Sequence, residues 1–350
     1  MSNFESLNNY LLPTPLLLEL LDVYKLIGTN TNIEKTLDKK AIHLERKAFE
    51  TDCFKLVEFL KLDVSINRIR LIITKDSLPK NKEEKMICAC KQVLKSIREL
   101  PYQENLSVNS SDILDYLKHI YGNNIKFNAE DFKIHGSNKR SIRFEFNKVF
   151  DEYNEAYNLK KYEPIILGCI LIMEMYNIKP YSEYNNLAIL LTYYYILNRC
   201  GIKCFKYTSF LDLYLKNEDK IINTIANGSI NYDQGTLYFS NFVKLTLDLI
   251  KSAYQEIDEI IVNNRFLDRA FKSDYLEQTI IYDLPNIFSK EDIIAVYPEI
   301  SPSTIMRCLS KLHKMNYIMP LGTGRSAKWK KLIDPNNLNY AIGVKNENQN

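Results

Sequence analysis

The sequence predicts a mainly α-helical protein with one small β-hairpin near its middle and a second, smaller module at its C-terminal end. Three observations predict it. Apolar residues recur at helical spacing through most of the chain. Gly and Pro are scarce, ten and eleven among 350 residues, as helices require. Strand-like alternation around a turn is concentrated in the segment Phe132–Phe146.

Each element follows in order. Thr14-Pro15 reads as an N-cap with proline at the first helical position, and Gly28 ends the apolar run between them. Amphipathic stretches from Glu34 to about Leu62 and from Lys82 to Leu100 predict two further helices. Pro101 and the polar run Gln103–Ser111 mark a seam, after which Ser111-Asp112 opens a helix that Gly122 closes. Phe132–Phe146 predicts a hairpin around Gly136-Ser137-Asn138. Two apolar helices, Pro164–Tyr176 and Asn186–Arg199, flank a short polar loop, with Gly201 as the stop. Helices are then predicted over Phe210–Ala226 and Tyr238–Val262, separated by turns at Asn227-Gly228 and Asp233-Gln234-Gly235. A last module occupies about Asp274–Leu332, and the tail Gly343–Asn350 is polar. The expected division is 1–104, a helical region; 105–268, a core; 269–335, the C-terminal module; and 336–350, a tail.

Composition excludes little. Apolar residues make up 46% and charged residues 25%, values ordinary for a globular protein, and the net charge of +3 names no partner. The apolar run Ile165–Met173 falls well short of the roughly 20 residues that span a bilayer, and Glu174 closes it. With no secretory signal in view, the expectation is a cytoplasmic protein without membrane contact. Seven cysteines, an odd number, fit reduced structural thiols, and the four histidines form no metal set. One of them, His135, sits in the expected hairpin.

The loop between the two apolar helices carries the functional argument. It reads Lys179-Pro180-Tyr181-Ser182-Glu183-Tyr184-Asn185-Asn186-Leu187. A phosphate-holding loop ahead of a helix offers backbone N–H groups to anionic oxygens, and glycines let the backbone approach them. No glycine lies between Lys179 and Leu187.

Helix, loop and helix together resemble the signature of the Fic (Fido) family, H-P-F-x-[D/E]-G-N-[G/K]-R. Pro180, Glu183 and Asn185 match it, and Tyr181 keeps the aromatic position. The resemblance implies a helical core that transfers AMP from ATP to protein hydroxyls. In such proteins the histidine acts as base, the acidic residue holds Mg²⁺, and the asparagine and arginine hold phosphate. Here Lys179 stands at the histidine, Tyr184 at the first glycine and Leu187 at the arginine, with Leu190 where a second arginine is frequent. Lysine has an ordinary pKa of about 10.4, so deep burial would be needed to make it a base at neutral pH. Neither leucine can bind an anion. Glu183 and Asn185 have simpler readings too, a solvated loop carboxylate and a helix N-cap.

The resemblance assigns two further segments. The hairpin stands where the family places a flap that holds its target by strand addition, although a plain surface hairpin explains the residues equally. The stretch Lys47–Leu56 stands nearest to the family's inhibitory motif [S/T]-x-x-x-E-[G/N]. Thr51 fits it, while Lys55 and Leu56 occupy the glutamate and glycine positions.

The last module has the order of a winged helix-turn-helix. Ser289 caps a short helix, a turn at Pro298–Ser301 leads to a second helix at Ser303–Asn316, and Leu321–Arg325 forms a glycine-tipped hairpin. From Ser301 to Ile333 there are seven cations (Arg307, Lys311, Lys314, Arg325, Lys328, Lys330, Lys331) and no acid. That pattern suits a helix and wing laid on DNA phosphates, with Ser303 and Thr304 at the helix start. If about five cations engage phosphate, log affinity falls with log salt at a slope of roughly −4 to −5. The alternative is a module for protein contacts or dimerisation. The ending Gly322-Thr323-Gly324-Arg325-Ser326-Ala327-Lys328-Trp329 matches the G-x-G-R-S-x-x-W/Y hairpin of many bacterial Fic proteins.

The reading is therefore a catalytically degenerate Fic-like protein that regulates by binding DNA or a partner protein, with a homodimer compatible. No cofactor is expected. The competing reading is a divergent nucleotidyltransferase, using ATP and Mg²⁺, in which Glu183 holds the metal and Lys179, with Asn185, contacts the nucleotide. A purely structural partner protein is the third.

Overall fold

The structure is a computed structural model and describes residues 4–37, 39–99, 107–129, 131–132, 140–267, 276–277, 280–281, 284–296, 300–322 and 327–332. The chain divides into two compact units, Met1–Glu259 and Ile260–Asn350. The sequence seam near residue 104 makes no division, because the helices on both sides of it pack into one unit.

The first unit opens with α1 (Thr14–Gly28), α2 (Asn30–Leu37), α3 (Lys39–Phe59), α4 (Ile66–Lys75), α5 (Lys82–Arg98) and α6 (Ser110–Tyr121). Pro13, not Thr14, is the N-cap residue of α1, and no side chain caps that helix. The stretch expected as one helix from Glu34 onward is helical in α2 and α3 on both sides of residue 38, which lies outside the described residues. The ten-residue helix α4 was not anticipated; its apolar residues Ile69, Ile72 and Ile73 are buried at helical spacing in a segment otherwise rich in charge. At α6 the sequence signal is realised closely: Asn109 and Asp112 form a capping box.

The second strand of the mid-chain hairpin ends earlier than expected. β1 (Asp131–Phe132) pairs antiparallel with β2 (Arg140–Ser141), and the chain then turns directly into α7 (Ile142–Asn158). The segment Ile142–Phe146, expected as the second strand, is the first turn of that helix. Its alternation is deceptive, since Ile142, Glu145, Phe146, Val149, Phe150 and Tyr153 are buried at a helical period while Phe144 is 54% exposed. Ser141 starts the helix by accepting a hydrogen bond from the Phe144 N–H. The turn of the hairpin, His135 included, lies outside the described residues.

Two helices form the centre of the unit, α8 (Pro164–Ile178) and α9 (Asn185–Arg199). Every residue from Ile165 to Met175 and from Leu187 to Leu197 is buried. α9 packs against α5, α6 and α8, while α7 covers α8. The two central helices approach closely at Gly168, where a Cβ would stand 2.4 Å from the Ile196 Cγ2. A 3-10 turn (Lys203–Lys206) follows α9, and α10 (Phe210–Lys216), α11 (Glu218–Gly228) and α12 (Ser240–Leu267) complete the helices of this region. None of the described helices is long and apolar enough to cross a membrane.

The second unit holds β3 (Ile287–Phe288), α13 (Lys290–Val296), α14 (Pro302–Lys314), β4 (Ile318–Pro320) and β5 (Trp329–Lys331). The sheet is antiparallel in the order β3-β5-β4, with Lys330 opposite both Ile287 and Met319. Its core joins Phe288, Ile293, Ile305, Leu309, Leu312 and Trp329. Ser289 caps α13 and Ser301 caps α14. The hairpin tip, with Arg325, lies outside the described residues.

Candidate functional site

The loop joining α8 to α9 is held in a fixed shape by its own backbone. Lys179, the C-cap of α8, and Tyr184, the N-cap of α9, both adopt left-handed conformations, with φ of 48° and 68°. Such a conformation costs a side-chain-bearing residue about 1–2 kcal/mol. Between them Tyr181 makes a β-bridge with Phe127. The Asn128 N–H donates to the Pro180 carbonyl at 2.9 Å, and the Ser182 N–H donates to the Lys126 carbonyl at 3.1 Å. Segment 126–128 thus lies against the loop like an added strand.

Asn185 closes the loop from the helix side. It is the first residue of α9, and its amide is used twice on Tyr181: the side-chain oxygen accepts from the Tyr181 N–H at 3.0 Å, and the side-chain nitrogen donates to the Tyr181 carbonyl. It therefore does not serve as the N-cap, which is Tyr184, and one of its two amide N–H groups is bound within the loop. Tyr181 points inward, 1% exposed, against the rings of Phe127 and Phe146 at 5.3 and 5.7 Å. Burial pushes its phenol upward, and the hydroxyl finds no partner among the described residues. Tyr184 stacks on Tyr121, ring centroids 3.9 Å apart and planes 19° from parallel. Its phenol is raised by desolvation and by the Glu183 carboxylate beside it.

The charged groups of the loop face water. Lys179 and Glu183 are exposed, so the burial that a lysine base requires is missing. Pro180 is buried. Leu187 and Leu190 lie in the core at 2% and 0% exposure. Among the described residues no three His, Cys, Asp or Glu side chains gather closely enough to hold a metal ion.

Solved structures share this arrangement of helices. A Fic family protein from Desulfovibrio desulfuricans G20 aligns over 92% of this chain and 97% of its own at a TM-score of 0.51, with 12% sequence identity. A Fic domain containing signaling protein from Bacteroides thetaiotaomicron VPI-5482 aligns over 69% of this chain and 98% of its own, with a TM-score of 0.53 and 10% identity. The fold is a Fic fold. No protein-family model matches the sequence, and no curated protein matches it significantly.

Outside the loop, the Fic-fold unit carries a buried polar network that the sequence did not announce. Asp52 of α3 is fully buried. It accepts hydrogen bonds from Arg98 Nη1 at 2.8 Å, the Tyr194 hydroxyl at 2.9 Å, the Ser209 hydroxyl at 2.6 Å and the Leu211 N–H at 3.0 Å. Burial drives the carboxyl upward, and the Arg98 guanidinium with the other donors opposes it. Asp52 lies inside the stretch compared with the inhibitory motif, where attention falls on Thr51 and Lys55. The Thr51 hydroxyl only donates back to the Lys47 carbonyl, and Lys55 pairs with Glu58 and Asp212. Arg199, also buried, lies 4.6 Å from the Tyr157 ring centroid, and its guanidinium nitrogens have no hydrogen-bond partner among the described residues. A charge at the last turn of the apolar helix α9 was the available signal for Arg199.

In the second unit six of the seven cations lie among the described residues, and they are of two kinds. Arg307, Lys314, Lys328 and Lys330 are exposed. Lys311 instead pairs with the nearly buried Glu277 at 2.8 Å, a carboxylate that comes from outside the acid-free stretch. Lys331 is buried, its ammonium donating to the carbonyls of Ile281 and Leu284. The Ser303 and Thr304 hydroxyls both bond to the Ser301 hydroxyl at the start of α14.

Proposed function

We propose that this Fic-fold protein transfers no nucleotide and acts as a regulator that binds DNA through its C-terminal unit. The observation that carries the first half is the double hydrogen bond of Asn185 to the Tyr181 backbone. It ties the amide oxygen and one of its two N–H groups to the loop's own backbone, in a loop whose arginine positions are buried leucines. ATP and Mg²⁺ do not fit these residues. The loop offers buried leucines where arginines would pair with phosphate, and a cation held by the single carboxylate of Glu183 relies on those phosphates for further ligands; no mechanism is routed through either group.

The second half rests on the C-terminal unit. Strand, helix, helix and hairpin in this order, with basic residues on the second helix and the last strand, is the layout of a winged helix-turn-helix. Arg307 and Lys314 on α14, with Lys328 and Lys330 at and beside β5, supply the exposed charge. With Lys311 and Lys331 committed elsewhere, five of the seven cations remain, Arg325 among them, and five contacts at about −0.9 each predict a salt slope near −4.5.

Two measurements on the full chain test the proposal. A thermal-shift titration with ATP, with and without Mg²⁺, is expected to show no change at millimolar nucleotide. Ligand at about 100 times its Kd would add roughly 2.7 kcal/mol of stability. Transfer of label from ATP to protein, abolished by Glu183→Ala, would overturn the proposal in favour of a divergent transferase. Fluorescence anisotropy with duplex DNA is expected to show salt-dependent binding, with a slope lowered by about 1 in Arg307→Ala. Binding that is absent at low salt would leave a module for protein contacts.

A further inference from the structure

At the end of α9 remote from the loop, the helices of the first unit line a cavity of about 560 Å³. That size lies within the range of small-molecule sites. Its lining divides by chemistry. Phe49 and Ile42, the latter 77% exposed, contribute apolar surface, with the buried Ile202 and Phe205 behind them. Five cationic residues line it against three carboxylates, and two of the five, Arg46 and Arg98, pair with Glu50 and Asp52 behind the lining.

The carboxylates are already engaged. Glu34 and Glu45 lie 3.8 and 3.6 Å from the Lys206 ammonium, and Glu99 lies 3.7 Å from Lys95. These pairs are long and exposed, so an incoming anion displaces them at little cost. Lys203 is exposed and has no ion pair among the described residues. It stands three residues before Lys206 on the 3-10 turn, a spacing that puts both side chains on one side. The turn is fixed from within: Arg98 Nη2 donates to the Lys206 carbonyl at 2.8 Å and reaches the Glu45 carbonyl at 3.4 Å. Two lysines on a braced turn beside an aromatic wall form a preorganised clamp for an acidic group with an apolar body.

We propose that this cavity binds a small organic anion, its acidic group between Lys203 and Lys206 and its apolar body against Phe49 and Ile42. Such a ligand would sit beside the Asp52–Arg98–Tyr194 network, independently of whether the loop binds nucleotide.

The test uses the full chain and two probes. One is 1-anilinonaphthalene-8-sulfonate; the other is N-phenyl-1-naphthylamine, the same rings without the sulfonate. Fluorescence titration is expected to show tighter binding of the sulfonate. Lys203→Ala/Lys206→Ala should weaken it by about tenfold or more, the loss expected when charge-assisted contacts are removed, and leave the neutral probe within about twofold. Ile42→Asp should weaken both. If the double variant fails to fold, the exposed single variant Lys203→Ala gives the same readout at reduced size. Sulfonate affinity unchanged by these lysine substitutions, or a neutral probe that binds as tightly as the sulfonate, overturns the proposal.

Discussion

The two ends of α9 use polar side chains in opposite ways. At its N-terminal end, Lys179 and Glu183 face water while Asn185 spends its amide on the loop's own backbone. Toward the other end, the fully buried Tyr194 and Asp52 join the partly buried Arg98 in a network in the interior. The first arrangement sets the shape of a loop; the second ties α3, α5, α9 and the start of α10 together. Charge near the surface is cheap to change and contributes little, whereas charge in the core is held by every partner it has. Residues that look chemical in the sequence lie at the first end, and the energetically critical ones lie at the second.

Four substitutions probe this contrast. Asp52→Ala strands the Arg98 guanidinium in the core and is expected to cost about 3–5 kcal/mol in urea unfolding. A loss under about 1 kcal/mol would mean water reaches the network, and the contrast would fail. Asn185→Ala removes both bonds to Tyr181 and is expected to cost about 1–3 kcal/mol. Unchanged stability there would show that the β-bridge to Phe127 alone holds the loop.

A second ion pair of the N-terminal helices sharpens the contrast through pH. Glu84 receives Arg68 Nη2 at 2.7 Å and the Lys80 N–H at 2.7 Å. These bonds bring its carboxyl down to about 2. Because the folded value is depressed, the contribution is complete above the unfolded value of about 4.3 and disappears as pH falls through about 2. Stability measured against pH should therefore separate wild type from Glu84→Gln at pH 6, with the gap narrowing below about pH 4. A gap that does not vary with pH would refute the assignment.

The smallest effect has the opposite sign. Lys179 is exposed and holds a left-handed φ of 48° at the C-cap of α8. Lys179→Gly is expected to raise stability by about 0.5–1 kcal/mol. A loss instead would show that the lysine side chain has a partner in solution.

Much of the fold was legible because burial leaves a period in the sequence. α1, α5, α6, α8 and α9 fall within a few residues of their expected bounds, and Ser289, Ser301 and Gly201 mark ends as their chemistry predicts. Two errors have one cause. Short segments do not fix a period, so Ile142–Phe146 passed for a strand and α4 for a connection. The loop was legible as a departure from a phosphate site, through its missing glycines and its two leucines.

The sequence by itself determined the helical class, the two apolar central helices and the absence of glycine from the loop between them. Local pattern suffices for these, since they depend on residue type and spacing along one element. Only the tertiary structure decided which polar groups are spent. It turned Asn185 onto Tyr181, brought Glu277 to Lys311 across an acid-free stretch, and set Asp52 against Arg98, 46 residues away. A side chain's availability depends on what folding places opposite it, and that partner is distant in the chain.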